Sequence, residues 1–206
     1  MISIEKACTY YSSSDAAHDF DHVLRVLRLA ERIGRAEGAD LEVLRAAALL
    51  HDLGRSQELA TGEDHALLSA AQARAILAAQ PPDRVEAVAS AIAAHRYRNS
   101  VLPQTLEAQV LYDADKLDSI GAIGVARSYA IAGRLGQRLW TEVPATTILD
   151  RGNLSPDHSP VLELAVKLAK VKDSLYTPTA QAMARERHDF MIAFFDRLGR
   201  EVAGDL

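Results

Sequence analysis

An almost purely apolar run of residues ends in two ionisable side chains, in the stretch Leu44-Arg45-Ala46-Ala47-Ala48-Leu49-Leu50-His51-Asp52. The run is so poor in polar side chains that it predicts a buried helix. An imidazole and a carboxylate at the end of a buried helix are costly to desolvate unless something satisfies them. A metal ion does so directly, because neutral imidazole and ionised carboxylate are metal ligands.

Two further residues extend this pattern along the chain. His22 lies upstream of His51-Asp52 and Asp115 lies downstream, and each falls on an apolar helix of its own predicted from the sequence. The ionisable residues therefore follow the order His, His-Asp, Asp. The same dipeptide also occurs at His18-Asp19 and at His188-Asp189, the latter in a charged stretch of the last predicted helix. We interpret the copy at His188-Asp189 as solvated surface.

The sequence around these positions resembles the HD-domain superfamily of metal-dependent phosphohydrolases. It is most similar to the bacterial branch whose first helix carries His-Asp-x-x-His-x-x-Arg-Val, which corresponds here to residues 18–26. Further matching blocks lie at residues 47–55, 65–70, 91–95, 105–108 and 113–124. The resemblance covers residues 15–135 well and the C-terminal third more loosely. It implies an all-α fold, a single-domain HD-type helical bundle.

The resemblance and the residue types together predict a divalent metal site with four ligands, His22, His51, Asp52 and Asp115. Two imidazoles and two carboxylates suit manganese, iron, cobalt, nickel or magnesium, with water in the remaining positions. A closed structural zinc site more often uses thiolates, and the chain has a single cysteine, Cys8. The alternative is a buried polar network that holds no metal.

Six more side chains are candidates for catalysis, and they are His18, Arg25, Arg55, His65, His95 and Asp118. Of these, the two arginines would hold a phosphoryl group, because a guanidinium binds phosphate through a planar fork of donors. Fixed cations of this kind stabilise the negative charge that develops during phosphoryl transfer. The alternative for each arginine is an ion pair with a carboxylate at the solvated surface.

The remaining four candidates would handle protons or orient other groups. His18 shares a helix face with His22 and would contact the substrate or orient a water. His65 opens a helix just after the predicted site and His95 ends the next helix, so both could face the metal. Asp118 lies one turn beyond Asp115, where its carboxylate would orient a ligand or a water. An isolated acid of this kind is otherwise a helix-surface residue.

Length and composition limit the class of protein. A chain of 206 residues fits one domain, 1–206, with a metal-site core at about 15–135 and C-terminal helices at about 160–202 packed on it. A net charge of -5 gives no basic field for a polynucleotide. A small phosphorylated partner remains compatible with that charge. The sequence shows neither a secretory signal nor an apolar run that could span a bilayer, so we expect a cytoplasmic protein and no membrane partner.

Capping residues, glycines and prolines divide the chain into helices. The predicted helices span residues 15–37, 40–53, 64–79, 83–95, 106–132, 161–175 and 178–199. Asp40, Asp64 and Asp83 are predicted as caps, with Gly38 and Gly54 as stops. Residues 133–160 form an irregular segment that could be a lid, a partner-binding segment or a loop.

Three functions are compatible with these patterns. The resemblance favours hydrolysis of a small phosphorylated metabolite, with a nucleotide as the expected substrate, by metal-activated water that releases phosphate or pyrophosphate. A binuclear, phosphodiesterase-like enzyme would add His65 and His95 as ligands of a second ion. A non-catalytic, metal-stabilised module would bind a nucleotide or a protein partner. The oligomeric state is left open.

Overall fold

The fold is entirely helical in the part of the chain that the structure describes. A computed structural model describes residues 1–11, 20–96, 101–143 and 158–206, and every regular element there is a helix, which confirms the all-α fold class. The helices are α1 Ile4–Cys8, α2 Phe20–Glu37, α3 Leu41–Leu50, α4 Arg55–Thr61, α5 His65–Ile76, α6 Pro82–Ala93, α7 Leu106–Asp118, α8 Gly121–Arg134, α9 Pro160–Val166, a 3-10 helix Leu168–Asp173, and α10 Pro178–Ala203. None of these helices is long and apolar enough to cross a membrane.

The first of two compact units comprises Met1–Asp115 and Leu175–Ala180. Its centre is α3, which packs against α2 and α6, while α5 packs on α6. The apolar run that ends in His51-Asp52 is buried in this core, as its composition predicts. The start of α3 is also as predicted, because the Asp40 carboxylate accepts hydrogen bonds from the backbone N–H groups of Glu42 and Val43.

A buried carboxylate ties the segment Leu175–Ala180 to α7 in this unit. Asp113 accepts hydrogen bonds from the backbone N–H of Tyr176 at 2.9 Å and from the backbone N–H and the hydroxyl of Thr177, both at 2.7 Å. Burial raises the pKa of Asp113 although these donors oppose the shift. The bonds fix the part of α7 that carries Asp115.

The second unit comprises Lys116–Ser174 and Gln181–Leu206. Residues 106–132 are predicted as one helix, but α7 ends at Asp118 and α8 begins at Gly121. Gly121 has a φ of +75°, which a glycine adopts without strain, and an added Cβ would lie 3.0 Å from the Arg187 side chain. Apolar periodicity continues across this break, so the sequence pattern does not reveal it.

Other helix boundaries differ from the prediction in smaller ways. The fourth predicted helix begins at Pro82 rather than after Asp83, because proline fits the first turn of a helix. Residues 161–175 form the short α9 and a 3-10 helix, and the short α1 and α4 were not predicted. Most of the irregular segment, residues 144–157, lies outside the described residues. The expectation of one domain over residues 1–206 stays a prediction.

Candidate metal centre

The turn after α3 brings the HD dipeptide and α5 together. His51 and Asp52 are both buried and follow directly on the last residue of α3. Two residues later the backbone N–H of Gly54 donates to the Ser69 hydroxyl on α5 at 2.9 Å. A Cβ on Gly54 would lie 2.6 Å from the backbone oxygen of His65, so the close approach of α5 requires glycine. Gly54 was expected as a helix stop, but α3 ends earlier, at Leu50, and Gly54 directly precedes α4 with a φ of -76°.

The four predicted metal ligands converge in the first unit. The Nε2 atom of His22, on α2, lies 3.3 Å from His51 Nε2, 3.6 Å from Asp52 Oδ2 and 3.4 Å from Asp115 Oδ1. The Nε2 atom of His51 lies 3.8 Å from Asp52 Oδ2. Three segments that are distant in sequence thus bring their nitrogen and oxygen atoms close together. The turn contributes two residues, His51 and Asp52, and α2 and α7 contribute one each.

A second cluster shares the Asp52 carboxylate. Its other oxygen, Oδ1, lies 3.6 Å from the Nε2 atom of His65 and 3.6 Å from that of His95. These two Nε2 atoms are 3.3 Å apart. His65 and His95, expected near the site as proton carriers or ligands, are therefore brought to it. Asp52 lies between two groups of imidazoles, with one oxygen facing each.

Hydrogen bonds on the far side of three imidazoles define where their ring hydrogens lie. The Nδ1 atom of His51 is 2.7 Å from the backbone oxygen of Ala48, and the Nδ1 atom of His95 is 2.6 Å from that of Ile92. The Nδ1 atom of His65 is 2.9 Å from Glu58 Oε2. Oxygen atoms of this kind only accept, so Nδ1 donates and the neutral ring keeps a lone pair on Nε2, as in metal-ligating histidines.

Burial and neighbouring charges favour the neutral form of the imidazoles of His51 and His65 and the ionised form of the Asp52 carboxylate. Burial lowers the pKa of His51 to about 4. Burial, with the nearby Arg55 guanidinium, lowers the pKa of His65 to about 4. Burial would raise the pKa of Asp52, but His51, Arg55 and His95 outweigh it and hold that pKa well below its ordinary value. Near neutral pH His51 and His65 are therefore neutral, and Asp52 is ionised.

The residues present fit a divalent metal ion. Asp52 Oδ2 is buried and has no hydrogen-bond partner among the described residues, which is unfavourable for a carboxylate oxygen without a cation. The facing Nε2 atoms of His65 and His95 both carry lone pairs when the rings are neutral, and a cation between them would remove the repulsion. Two groups, His22 with His51 and Asp52, and Asp52 with His65 and His95, could each hold an ion.

Two arginines and a glutamate surround the second cluster. Arg55 Nε donates to Asp52 Oδ1 at 3.1 Å and its Nη1 donates to Glu58 Oε2 at 3.3 Å. Arg96 pairs with Glu58 Oε1 at 2.9 Å and with Asp64 at 3.1 Å. Arg55 thus pairs with a carboxylate, which is the alternative considered for it, but that carboxylate is buried and is a predicted metal ligand. Glu58 and Arg96 are absent from the predicted set, although Arg96 directly follows His95.

Of the predicted catalytic residues, Arg55, His65 and His95 lie at this centre. Arg25 is half-buried on α2, three residues after His22. Asp118 is buried in the second unit, where its carboxylate accepts a hydrogen bond from Arg127 at 3.1 Å. His18 lies outside the described residues. The catalytic roles of these three residues stay predictions.

The dipeptide His188-Asp189 is not wholly a surface feature. His188 is half-buried, and its Nδ1 atom is buried without a hydrogen-bond partner among the described residues. The expectation that His188 is solvated is therefore wrong. Its neighbour Asp189 is exposed, as expected. The cause is the position of the two residues on different faces of α10.

Comparison with known proteins identifies the class. The model of the HD domain family matches residues 19–120, which include all four predicted ligands. Over 199 residues the chain is 30% identical to the YpgQ protein of Bacillus subtilis, covering 94% of this chain and 88% of that protein. The chain therefore belongs to the HD-domain family.

Solved structures agree with this assignment along almost the whole chain. The crystal structure of Bacillus subtilis YpgQ in complex with ADP has a TM-score of 0.75 and 29% identity, covering 98% of this chain and 99% of that one. A protein described as a predicted HD-superfamily hydrolase, from an uncultured Thermotogales bacterium, has a TM-score of 0.66 and 29% identity, covering 96% of this chain and 88% of that one. These similarities support a hydrolase in general terms.

Proposed function

We propose that this protein is a metal-dependent phosphohydrolase that acts on a small phosphorylated metabolite, with a nucleotide as the expected substrate class. The observation that carries the proposal is Asp52, a buried ionised carboxylate with one oxygen facing each imidazole cluster and with Oδ2 lacking a hydrogen-bond partner among the described residues. Arg55 pairs with Oδ1 only, so the buried Oδ2 still lacks a partner, and a cation would supply one. The cleaved bond is a phosphate ester or anhydride.

His22, His51, Asp52 and Asp115 are the residues that would hold the ion. When bound, a divalent cation activates water and polarises a phosphoryl oxygen. Arg55, which already contacts the carboxylate of Asp52, would neutralise charge on the phosphoryl group. His65 and His95 can each accept a proton at Nε2, because their ring hydrogens lie on Nδ1.

A nucleotide is favoured over other phosphorylated metabolites by one comparison. The similar YpgQ protein of Bacillus subtilis was crystallised in complex with ADP. The net charge of -5 agrees with a small ligand held by local cations rather than with a polynucleotide. The substrate class therefore rests on similarity, whereas the reaction class rests on the donor set.

The test is a screen of purified protein against nucleotides and sugar phosphates with manganese, magnesium, cobalt, nickel or iron(II). We expect release of phosphate or pyrophosphate that Asp52→Ala abolishes. The matched control is Asp189→Ala, which removes the exposed carboxylate of the His188-Asp189 dipeptide. No release from any compound with any of these ions would contradict the proposal. Nucleotide binding without hydrolysis would instead support the non-catalytic module.

The second imidazole cluster favours one alternative, a binuclear phosphodiesterase-like enzyme. Asp52, His65 and His95 place three ligand atoms within 4.8 Å of one another, beside the first group. Two ions bridged by one carboxylate would hold the attacking and leaving oxygens together. Metal analysis after loading with manganese tests it: about two ions per chain, falling to one in His95→Ala, supports this candidate. One ion in both proteins opposes it.

A further inference from the structure

The Nδ1 hydrogens of His51, His65 and His95 find their acceptors in two different ways. His51 and His95 follow the last residues of α3 and α6, where the final backbone carbonyl groups have no partner within the helix. Each ring therefore finds a carbonyl three residues earlier, on Ala48 or Ile92. The tautomers of these two rings are fixed by the helix ends themselves.

His65 has no such acceptor, because it is the first residue of α5. The first turn of a helix has unpaired N–H groups rather than unpaired carbonyl groups. An acceptor for the Nδ1 hydrogen must then come from another element, and the carboxylate of Glu58 on α4 supplies it at 2.9 Å. His65 is thus the one of these three rings that depends on a side chain.

Two arginines hold the Glu58 carboxylate in place. Arg55 Nη1 donates to Oε2 at 3.3 Å, and Arg96 Nη1 pairs with Oε1 at 2.9 Å. Arg96 also pairs with Asp64, the residue that caps α5 beside His65. The carboxylate is therefore oriented from both sides and accepts the His65 hydrogen in a defined direction.

We propose that Glu58 is a positioning residue that keeps the hydrogen of His65 on Nδ1 and so turns a bare Nε2 toward the point shared with His95 and Asp52. Without this acceptor the hydrogen moves to Nε2, where the bare Nε2 of His95 accepts it across the present 3.3 Å separation. In that hydrogen bond the Nε2 atom of His65 carries the hydrogen and the Nε2 lone pair of His95 accepts it. Neither nitrogen would then offer a free lone pair to the centre. Glu58 therefore holds the pair open for a ligand or a proton.

The tautomer can be read directly from the metal-free protein by long-range ¹⁵N–¹H correlation of the imidazole rings. The wild-type spectrum should show His65 with its hydrogen on Nδ1, with the signals assigned by their loss in His65→Gln. Glu58→Ala should move the hydrogen to Nε2. Glu58→Gln keeps an oxygen acceptor and should restore the Nδ1–H form. If Glu58→Ala does not fold, Glu58→Leu fills the space and equally lacks an acceptor.

The matched control is Glu86→Ala, which removes another carboxylate paired with an arginine. Glu86 is exposed and accepts hydrogen bonds from Arg74 at 2.8 and 2.9 Å, away from the histidines. It should leave the His65 signals unchanged. An Nδ1–H tautomer that persists in Glu58→Ala, or an equal change in Glu86→Ala, would overturn the assignment.

The consequence for turnover rests on the proposed function, whereas the tautomer does not. Loss of a partner that orients a metal-centre histidine lowers activity or metal affinity by about 10–100-fold. We expect that loss in Glu58→Ala with manganese, with recovery in Glu58→Gln. If the wild type hydrolyses no phosphorylated compound, the proposed function fails, and the tautomer measurement still decides the role of Glu58.

Discussion

The two sides of the Asp52 carboxylate differ in the charges they gather. On the Oδ2 side, His22 and His51 meet a second carboxylate, Asp115. On the Oδ1 side, the imidazoles of His65 and His95 meet the guanidinium of Arg55, which is 3.1 Å from the shared carboxylate. One side thus adds a carboxylate to its imidazoles, and the other adds a guanidinium, which is also paired with the Glu58 carboxylate.

This difference indicates different preferred occupants. A divalent cation gains from two carboxylates, so the Oδ2 side should bind the tighter ion. An arginine repels a cation but attracts a phosphoryl group, so the Oδ1 side suits an anionic substrate, with a weaker second ion in competition with Arg55. Under the proposed function, the carboxylate between them would couple metal binding to substrate binding.

The largest effect should come from removing the residue common to both sides. Asp52→Ala removes a carboxylate oxygen from each cluster and leaves Arg55 paired with Glu58 alone. We expect manganese affinity and turnover both to fall by more than about 100-fold, beyond the range of a merely orienting partner. Metal analysis and a phosphate-release assay measure the two quantities. Wild-type manganese affinity or wild-type turnover in Asp52→Ala would contradict the prediction that both sides share Asp52 as a ligand.

Acid should lower the folding stability contributed by both sides, because each side contains an imidazole that is buried in its neutral form. The pKa of His51 and that of His65 are about 4 in the folded protein, against an ordinary value of about 6.5 in the unfolded chain. As pH falls below about 6.5 the unfolded chain takes up protons first, so stability is lost between about pH 6.5 and 4.

A full shift of this size corresponds to about 3 kcal/mol for a fully buried ring such as His51. Urea unfolding of the metal-free protein at pH 7 and at pH 4.5 measures the loss. His51→Asn and His65→Asn should each reduce the pH dependence. If only one of them did so, the other imidazole would be charged in the folded protein and the two sides would differ in protonation as well.

The sequence predicts the Oδ2 side more completely than the Oδ1 side, for physical reasons. The four ligands lie at a helix end or on an apolar helix face, where an ionisable residue is conspicuous. Asp40 and Asp64 are recognisable as caps because their side chains bond to backbone groups two or three residues away. Local signals of this kind need no knowledge of tertiary structure.

Glu58 and Arg96 carry no local signal of that kind. Glu58 lies on α4, a helix of seven residues too short to show apolar periodicity. Its partners His65 and Arg96 lie seven and 38 positions further along the chain (65 minus 58 and 96 minus 58). The break at Gly121 was missed for a related reason, since a positive φ leaves no mark on hydrophobic spacing. Contacts between elements, rather than within them, account for most of what the sequence did not predict.

Arg25 offers a way to separate metal binding from phosphoryl binding on the Oδ2 side. It lies on α2 three residues after His22, and we expect it to contact a bound phosphoryl group rather than the ion. Arg25→Ala should leave manganese affinity unchanged and lower kcat/KM by about 10–100-fold, because a charge-assisted contact is worth about 1.5–3 kcal/mol.

Steady-state kinetics and a manganese titration on the same variants test this expectation. Arg25→Lys should recover only part of the loss, because an ammonium cannot reproduce the planar fork. Arg28→Ala, an exposed arginine on the same helix, is the matched control. Wild-type kinetics in Arg25→Ala would assign Arg25 to packing or ion pairing.

The smallest expected effect is a gain rather than a loss of metal affinity, and it concerns the Oδ1 side. The guanidinium of Arg55 competes with any cation bound there, and its side chain is 35% exposed, so solvent screens much of the repulsion. Arg55→Gln should therefore strengthen binding of a second manganese ion by about 2–5-fold, as expected for about 0.5–1 kcal/mol from a partly exposed charge. Phosphate release should fall in the same variant, because the phosphoryl group loses a cation. A manganese titration that shows weaker binding would mean that Arg55 acts mainly by orienting Asp52, and the charge difference between the two sides would then not govern their occupants.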